Sequence, residues 1–360
     1  MTRCVIAFLQ STQIKFFSII TTAIYVTAVL IATYNAPIYK EPIPKLEQPD
    51  TLMQELATTI DMGLHINSFP HFSFKETTFA IDGIVWFKFD QGSESLDTIE
   101  DFSIQNTIGK TGGKLFYKSK PLVKLVDDKV IVSYNIQATF MTEIIFKKFP
   151  IGDHRVKLFI NNKGCTAHEL LFSIKPENVT FGENLLIDNW RPQTVRTTSG
   201  IFGAQLGKPP HSTCITYPGI GITIDFENIG TRSLVSLYFP LFILFFIGLL
   251  SLSIGIFDTA RLSIIASSLP TLVLFRLVID AVSPEVGYAT HIDFIYYVLV
   301  ALSFIILFFQ TYLTLMIEHV KKYSEEKKTI FAGKLELING IIFMGVTAAL
   351  IIIMAYDFYH

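Results

Sequence analysis

Long, unbroken apolar stretches crowd the C-terminal third of the chain, while the residues before them alternate apolar and polar positions with a period of two. Residues 233–257, 294–317 and 337–356 hold no charged side chain. Each is long enough to cross a hydrocarbon core of ~30 Å as a helix, which takes about 20 residues. Residues 262–282 are similar in length but are broken by Pro270, Arg276 and Asp280. The pattern predicts four membrane helices, at 233–257, 262–282, 292–318 and 335–358. A fifth apolar stretch at 16–39 comes after Arg3 and Lys15. It reads either as a signal peptide or as a retained anchor within residues 1–36, and both export the residues C-terminal to it.

Residues 37–232 have the other texture. In VIVSYNIQAT (130–139), Val130, Val132, Tyr134, Ile136 and Ala138 share one face, and Ser133, Asn135, Gln137 and Thr139 the other. Residues 78–89, 155–160 and 220–226 show the same alternation, which fits half-buried strands. A short helix is expected near 51–61. Many short strands between Gly- and Pro-rich turns predict an antiparallel β-sandwich with its own core. The fold class is therefore an α+β membrane protein: an extracellular antiparallel β-sandwich followed by a four-helix transmembrane bundle.

Composition narrows the classes. Half of the residues are apolar and only 17% are charged, which is unlike an ordinary soluble domain. The net charge of −2, with no basic cluster, gives no sign of a nucleic-acid partner. Charge also sets topology. Arg261 lies in the short connection 258–261, and Lys321, Lys322, Lys327, Lys328 and Lys334 lie between the last two spans. Basic connections stay in the cytoplasm. The β block and His360 are then outside a multi-pass protein of the plasma or inner membrane.

Four strings in order carry a family resemblance. They are TFAIDGIVWFKF (78–89) with Trp86, FPIGD (149–153), Pro240 within LYFPLF, and SPEVGYATHIDFIYY (283–297) with Pro284 and Tyr288. Together with the layout, residues 51–356 resemble the pentameric ligand-gated ion channels, the Cys-loop receptor superfamily. The resemblance implies a homopentamer in which the β domain gates a pore lined by the second helix. It implies that Phe149, Pro150 and Asp153 press on the link around Pro284 and Tyr288. Thr142 and Lys157 stand where animal members carry two cysteines, so the chain looks like a prokaryotic-type subunit. Asn228 replaces the family's arginine ahead of the first helix, and the Trp-Pro-Asp string of the neurotransmitter site is absent.

The second span can be read by helix geometry. At about 100° per residue, Ser263, Ser267, Pro270, Leu274, Leu277 and Ala281 fall within about 40° of one line. Hydroxyls occupy its cytoplasmic half and leucines its outer half. Such a seam suits a pore with a hydroxyl-lined constriction below an apolar one, and the resemblance puts the same residues there. The alternative is a packing seam in an ordinary bundle. Arg276 and Asp280 fall behind the line and are expected to pair with each other or across a subunit contact. Pro270 predicts a kink near mid-helix. Asp258, Thr259 and Ala260 occupy the mouth where cation-selective relatives carry a glutamate.

The resemblance also suggests an agonist site between subunits, under a loop at 194–213, with Trp190, Phe202 and Tyr217 as candidate aromatics. The bland reading makes them sandwich core. The resemblance places Cys165 beside Cys214 and so implies a disulfide; two separate thiols are the alternative. His65, His71, His154, His168 and His211 are scattered without metal-ligand spacing. No Gly-x-Ser-x-Gly, His-Glu-x-x-His or phosphate-loop string is present, so neither an enzyme nor a cofactor or metal is expected. Expected partners are further copies of the chain, membrane lipid, inorganic ions and either a small ligand or protons. The competing function is a non-conducting membrane sensor or assembly protein with the same fold.

Overall fold

Alternation becomes sheet and unbroken apolarity becomes helix along most of the chain. The computed structural model describes residues 11–34, 39, 41–92, 96–107, 116–183, 185, 187, 189–206, 213–320 and 325–359. They form two units. The β unit comprises Ile38–Ile145 and Asp153–Ile229; the helical unit comprises Met1–Pro37, Phe146–Gly152 and Gly230–His360.

The described residues of the β unit form α2 (Thr51–Leu56), α3 (Leu96–Glu100) and ten strands. These are β1 (Thr58–Ser73), β2 (Thr78–Asp90), β3 (Phe102–Ile104), β4 (Phe116–Lys118), β5 (Leu122–Val126), β6 (Lys129–Met141), β7 (His154–Asn162), β8 (Leu170–Phe181), β9 (Trp190–Leu206) and β10 (Thr213–Asn228). One sheet runs β4-β6-β2-β1-β8, with β5 also on β6; the other runs β3-β7-β10-β9. Every second residue of β2 from Phe79 to Phe89 is buried, and Val132, Tyr134, Ile136, Ala138 and Phe140 of β6 do the same. The two sheets share a phenylalanine-rich core. Phe72 meets Phe226 at 4.9 Å and Phe69 meets it at 5.9 Å, both edge-on, a geometry that adds about 0.5–1.5 kcal/mol per pair. Trp86 covers Gly63 so closely that a Cβ there would sit 2.3 Å from the indole. A two-residue turn joins β5 to β6 through Asp127 and Asp128, both with positive φ, as a primed hairpin turn requires.

Three expectations need correction here. The sandwich is not wholly antiparallel: β1 and β8 pair in parallel, from Thr58↔Leu170 onward. Residues 163–169 carry the chain from one sheet to the other, and period-two patterning fixes the buried face of a strand but not its direction. The early helix stops at Leu56, because the period-two run begins at Thr58. The segment 194–213 is mostly strand: β9 runs to Leu206, and residues 207–212 lie outside the described residues.

The helical unit contains α1 (Thr12–Tyr34), α4 (Thr231–Leu250), α5 (Ala260–Leu274), α6 (Arg276–Val282), α7 (His291–Val320) and α8 (Glu325–Tyr359). Among the described residues four stretches are long and apolar enough to cross a membrane: Thr12–Tyr34, Ala260–Val282, His291–His319 and Thr329–Tyr356. This is a multi-pass membrane protein. Ile19, Thr22, Val26, Leu30 and Thr33 of α1 are buried at helical spacing, and α1 packs against α8 and α4.

The expected span at 233–257 is not among these four, because its apolar helix is shorter, covering Leu234–Leu250. α4 ends at Leu250, and residues 251–259 turn. Gln310 donates to Ser251 Oγ at 3.2 Å, and Asn339 donates to the Leu252 carbonyl at 2.8 Å, pinning that turn. Arg261, read as part of a basic cytoplasmic connection, is 3% exposed. Its guanidinium donates to Asn339 Oδ1 at 2.8 Å and to the Ser251 carbonyl at 3.2 Å. The second span passes through Pro270 and is interrupted at Phe275 instead. There the bonds tighten to three residues, with Val278 N–H on the Phe275 carbonyl at 3.0 Å, the signature of a locally 3₁₀ turn.

Candidate functional site

The seam on the second span is turned away from its own helical core. Ser263, Ser267, Pro270, Leu274, Leu277 and Ala281 are all exposed, Leu274 at 63% and Leu277 at 68%. The opposite face, Arg261, Ile265, Ser268, Leu269, Leu272 and Ile279, is buried. At about 100° per residue its centre lies roughly 180° from the seam. Gly248 of α4 lets this buried face approach: a Cβ there would lie 2.9 Å from Ile265 Cδ1 and 3.1 Å from Ser268 Oγ. The division is thus built by packing, with apolar residues and a glycine contact on one side and a hydroxyl–leucine line on the other.

Arg276 pairs with Asp280 at 2.7 Å, as its spacing predicts, and also with Asp293. Asp293, 7% exposed, accepts the backbone N–H and the hydroxyl of Thr290, each at 2.7 Å. The sequence reading missed Asp293, although Thr290-His291-Ile292-Asp293 has the spacing of a capping box at the start of α7. The guanidinium lies 5.7 Å from the Tyr296 ring centre and 5.5 Å from that of Tyr297. An open pocket of about 640 Å³ adjoins this cluster, lined by Arg276, Asp280, Tyr288, Asp293 and Tyr297 among others.

The FPIGD string divides between the units. Phe146–Gly152 belongs to the helical unit. Its first turn, a 3₁₀ helix at Phe146–Lys148, donates the Phe146 N–H to the Tyr288 hydroxyl oxygen at 2.9 Å. Ile292 N–H reaches the Phe149 carbonyl at 3.3 Å, and the Phe149 ring packs on the helical core. Pro150 and Pro284 are buried, and Tyr288 is 40% exposed. The candidates Phe149, Pro150, Pro284 and Tyr288 therefore lie in one unit. Asp153 lies in the other, where its Oδ1 accepts the Asn228 N–H at 2.9 Å.

The three candidate aromatics do not form one cage. Phe202 and Tyr217 are cross-strand partners with stacked rings at 6.3 Å. Trp190 pairs with Asn228 at the far end of the same hairpin. It packs on Phe74 at 4.2 Å and on His154 at 5.5 Å. Phe202 lies twelve positions further along the strand, about 40 Å of extended chain. Cys165 is buried; the side chain of Cys214 lies outside the described residues, as does that of His211. Thr142 and Lys157, which hold the positions of two cysteines in the resembling family, are buried together: Lys157 N–H donates to Thr142 Oγ1 at 3.2 Å. Among the described residues no three His, Cys, Asp or Glu side chains converge as a metal site.

A buried cluster in the β unit was also missed by sequence reading. Glu41 accepts from His154 Nδ1 at 2.9 Å and from Ile145 N–H at 3.0 Å. Arg155 donates to Asp225 at 2.8 Å, and Arg196 lies 3.0 Å from the other oxygen of Asp225. Tyr39, 4.9 Å from the Arg155 guanidinium, has its hydroxyl pushed up to about 12 by burial and by the neighbouring Asp153. Nothing in the period-two pattern marks Glu41, which precedes the first strand.

No protein-family model and no curated protein matches this chain.

Proposed function

We propose that the chain is a subunit of a pentameric ligand-gated-type ion channel. In this reading the β unit lies outside the membrane, and the second span lines an aqueous passage shared among identical copies. The supporting observation is the two-sidedness of α5 and α6. Their apolar face is consumed by the protomer's own helices, while serines and leucines along the other face have no partner within the protomer's core. The Ser267 hydroxyl donates to the Ile264 carbonyl at 2.9 Å and keeps acceptor capacity that a wetted axis can use and acyl chains cannot. The leucine half supplies a collar that can close by dewetting.

The coupling residues support the same reading. Phe146 and Phe149, at the base of the β unit in sequence, are hydrogen-bonded to the link and the helix that come after the second span. Movement of that segment is therefore passed to Tyr288 and Ile292 directly. With Arg261 buried, the lysines between α7 and α8 carry the argument for a cytoplasmic connection. α1, packed along one stripe, fits a retained anchor better than a cleaved leader. The activating stimulus is a small ligand or protons.

The test is electrical. Full-length protein purified into planar bilayers gives discrete current steps if it conducts, and images of the particles show five-fold symmetry. Silence across pH and ligand screens, with the same symmetry, favours a non-conducting sensor.

A further inference from the structure

One carboxylate oxygen closes the base of the coupling segment. Ile145 and Asp153 are the β-unit residues that flank Phe146–Gly152. Glu41 Oε1 holds both stems: it accepts the Ile145 N–H at 3.0 Å on the entering side and His154 Nδ1 at 2.9 Å on the leaving side. An ionised carboxylate has no hydrogen to give, so Nδ1 carries the proton of that bond. The Glu41 carbonyl accepts Arg155 Nη1 at 2.8 Å, which fixes the backbone of the clasp as well.

The arrangement is costly for a mere turn closure. The Glu41 side chain is 0% exposed, and its Oε2 has no hydrogen-bond partner among the described residues. Burying a charge carries a desolvation penalty, whereas a neutral amide oxygen would accept the same two hydrogens without that penalty but more weakly. The charge therefore adds something that closure does not need: a hold that depends on a proton.

We propose that Glu41 is a positioning residue for the coupling segment, a carboxylate clasp that fixes both stems of Phe146–Gly152 and loosens when it is protonated. The role in coupling rests on the channel reading above; the clasp itself does not. Facing Glu41 are His154 and Arg155 from β7, with Asp225 of β10 and Arg196 of β9 behind Arg155, and Tyr39 from its own segment. Phe74 and Trp190 wall off His154. Burial pushes the Glu41 carboxyl up, but the bonds from His154 and Ile145 outweigh it and hold the group below its ordinary 4.5. With the folded value depressed, the clasp's contribution is complete above about pH 4.5 and is lost as pH falls through the lower folded value.

Hydrogen exchange across the stem residues, read by mass spectrometry on the full-length protein from pH 7 to pH 3 and corrected for intrinsic rates, tests this. Wild type is expected to lose protection at 145–154 roughly tenfold on acidification, the factor that about 1.4 kcal/mol converts to. Glu41→Gln, uncharged at every pH like the protonated carboxyl, flattens the profile at the level wild type reaches in acid. Glu41→Ala loses it at every pH while β2 and β6 stay protected. A Glu41→Gln profile that falls like wild type overturns the proposal, as does unchanged protection in Glu41→Ala. Should the alanine variant fail to fold, the glutamine profile decides alone. Currents from the same samples separate the two layers. If wild type conducts, its acid response shrinks in Glu41→Gln, and an identical response overturns the positioning role. If no sample conducts while exchange behaves as expected, the channel reading falls and the clasp stands.

Discussion

Phe146 donates its backbone N–H to the hydroxyl oxygen of Tyr288 at 2.9 Å, across 142 positions of sequence. Phe146 is 3% exposed, so its N–H has little access to water as a substitute. Tyr288→Phe removes this acceptor, at a cost of about 1 kcal/mol. The Phe146 amide is expected to exchange several-fold faster in this variant. Unchanged exchange would show that the bond does not hold the segment.

The Arg276 cluster predicts an asymmetric mutation series. Asp280 is half exposed, and its pair with Arg276 is worth under about 0.5 kcal/mol. Asp293 is 9% exposed at its side chain. Arg276→Ala leaves that carboxylate with only its Thr290 bonds and should cost about 1–3 kcal/mol, whereas Asp280→Ala should barely move the melting temperature. Asp293→Asn in the Arg276→Ala background should recover part of the loss, which a double-mutant cycle on detergent-solubilised protein measures.

Neighbouring serines on α5 give an internally controlled probe of the seam. Ser267 is exposed and Ser268 is 6% exposed, facing Gly248. Ser267→Cys should react with a water-soluble thiol reagent, and Ser268→Cys at least about tenfold more slowly, as burial limits access. Equal rates, or no reaction at Ser267→Cys in the assembled protein, would contradict a wetted seam.

Tyr134 predicts a stabilising substitution. Its side chain is fully buried, and its hydroxyl has no hydrogen-bond partner among the described residues. Tyr134→Phe should stabilise the β unit by about 1 kcal/mol. Burial, with Glu100 nearby, pushes the phenol up from 10.0 to about 12. The contribution of keeping that proton is complete below pH 10 and is lost as pH rises toward 12, since the unfolded chain ionises first. The phenylalanine variant should therefore lose less stability across that window, by at most about 2–3 kcal/mol. Alkaline melts of the two proteins measure the difference.

Features set by neighbouring residues were legible in the sequence, and features set by distant ones were not. The alternation of 78–89 and 130–139 became β2 and β6, because the period of a half-buried strand is written in consecutive residues. The face of the second span was legible for the same reason. Strand direction was not: β1 and β8 run parallel because of a crossover between sheets. Nor was the end of α4, since apolar residues continue to 257 while Ser251 and Leu252 are held in a turn by Gln310 and Asn339 from distant helices. Arg261 looked like a loop charge until Asn339 buried it. Glu41 carries no pattern at all; only tertiary structure brings it to Ile145 and His154.

The pairing of Lys157 N–H with Thr142 Oγ1 has a consequence for where this fold can mature. The closure at those two positions rests on a hydroxyl rather than on sulfur, so thiol reductants have nothing there to cleave. That pairing involves no thiol oxidation or disulfide exchange, and the hydrogen bond itself is indifferent to reducing or oxidising surroundings.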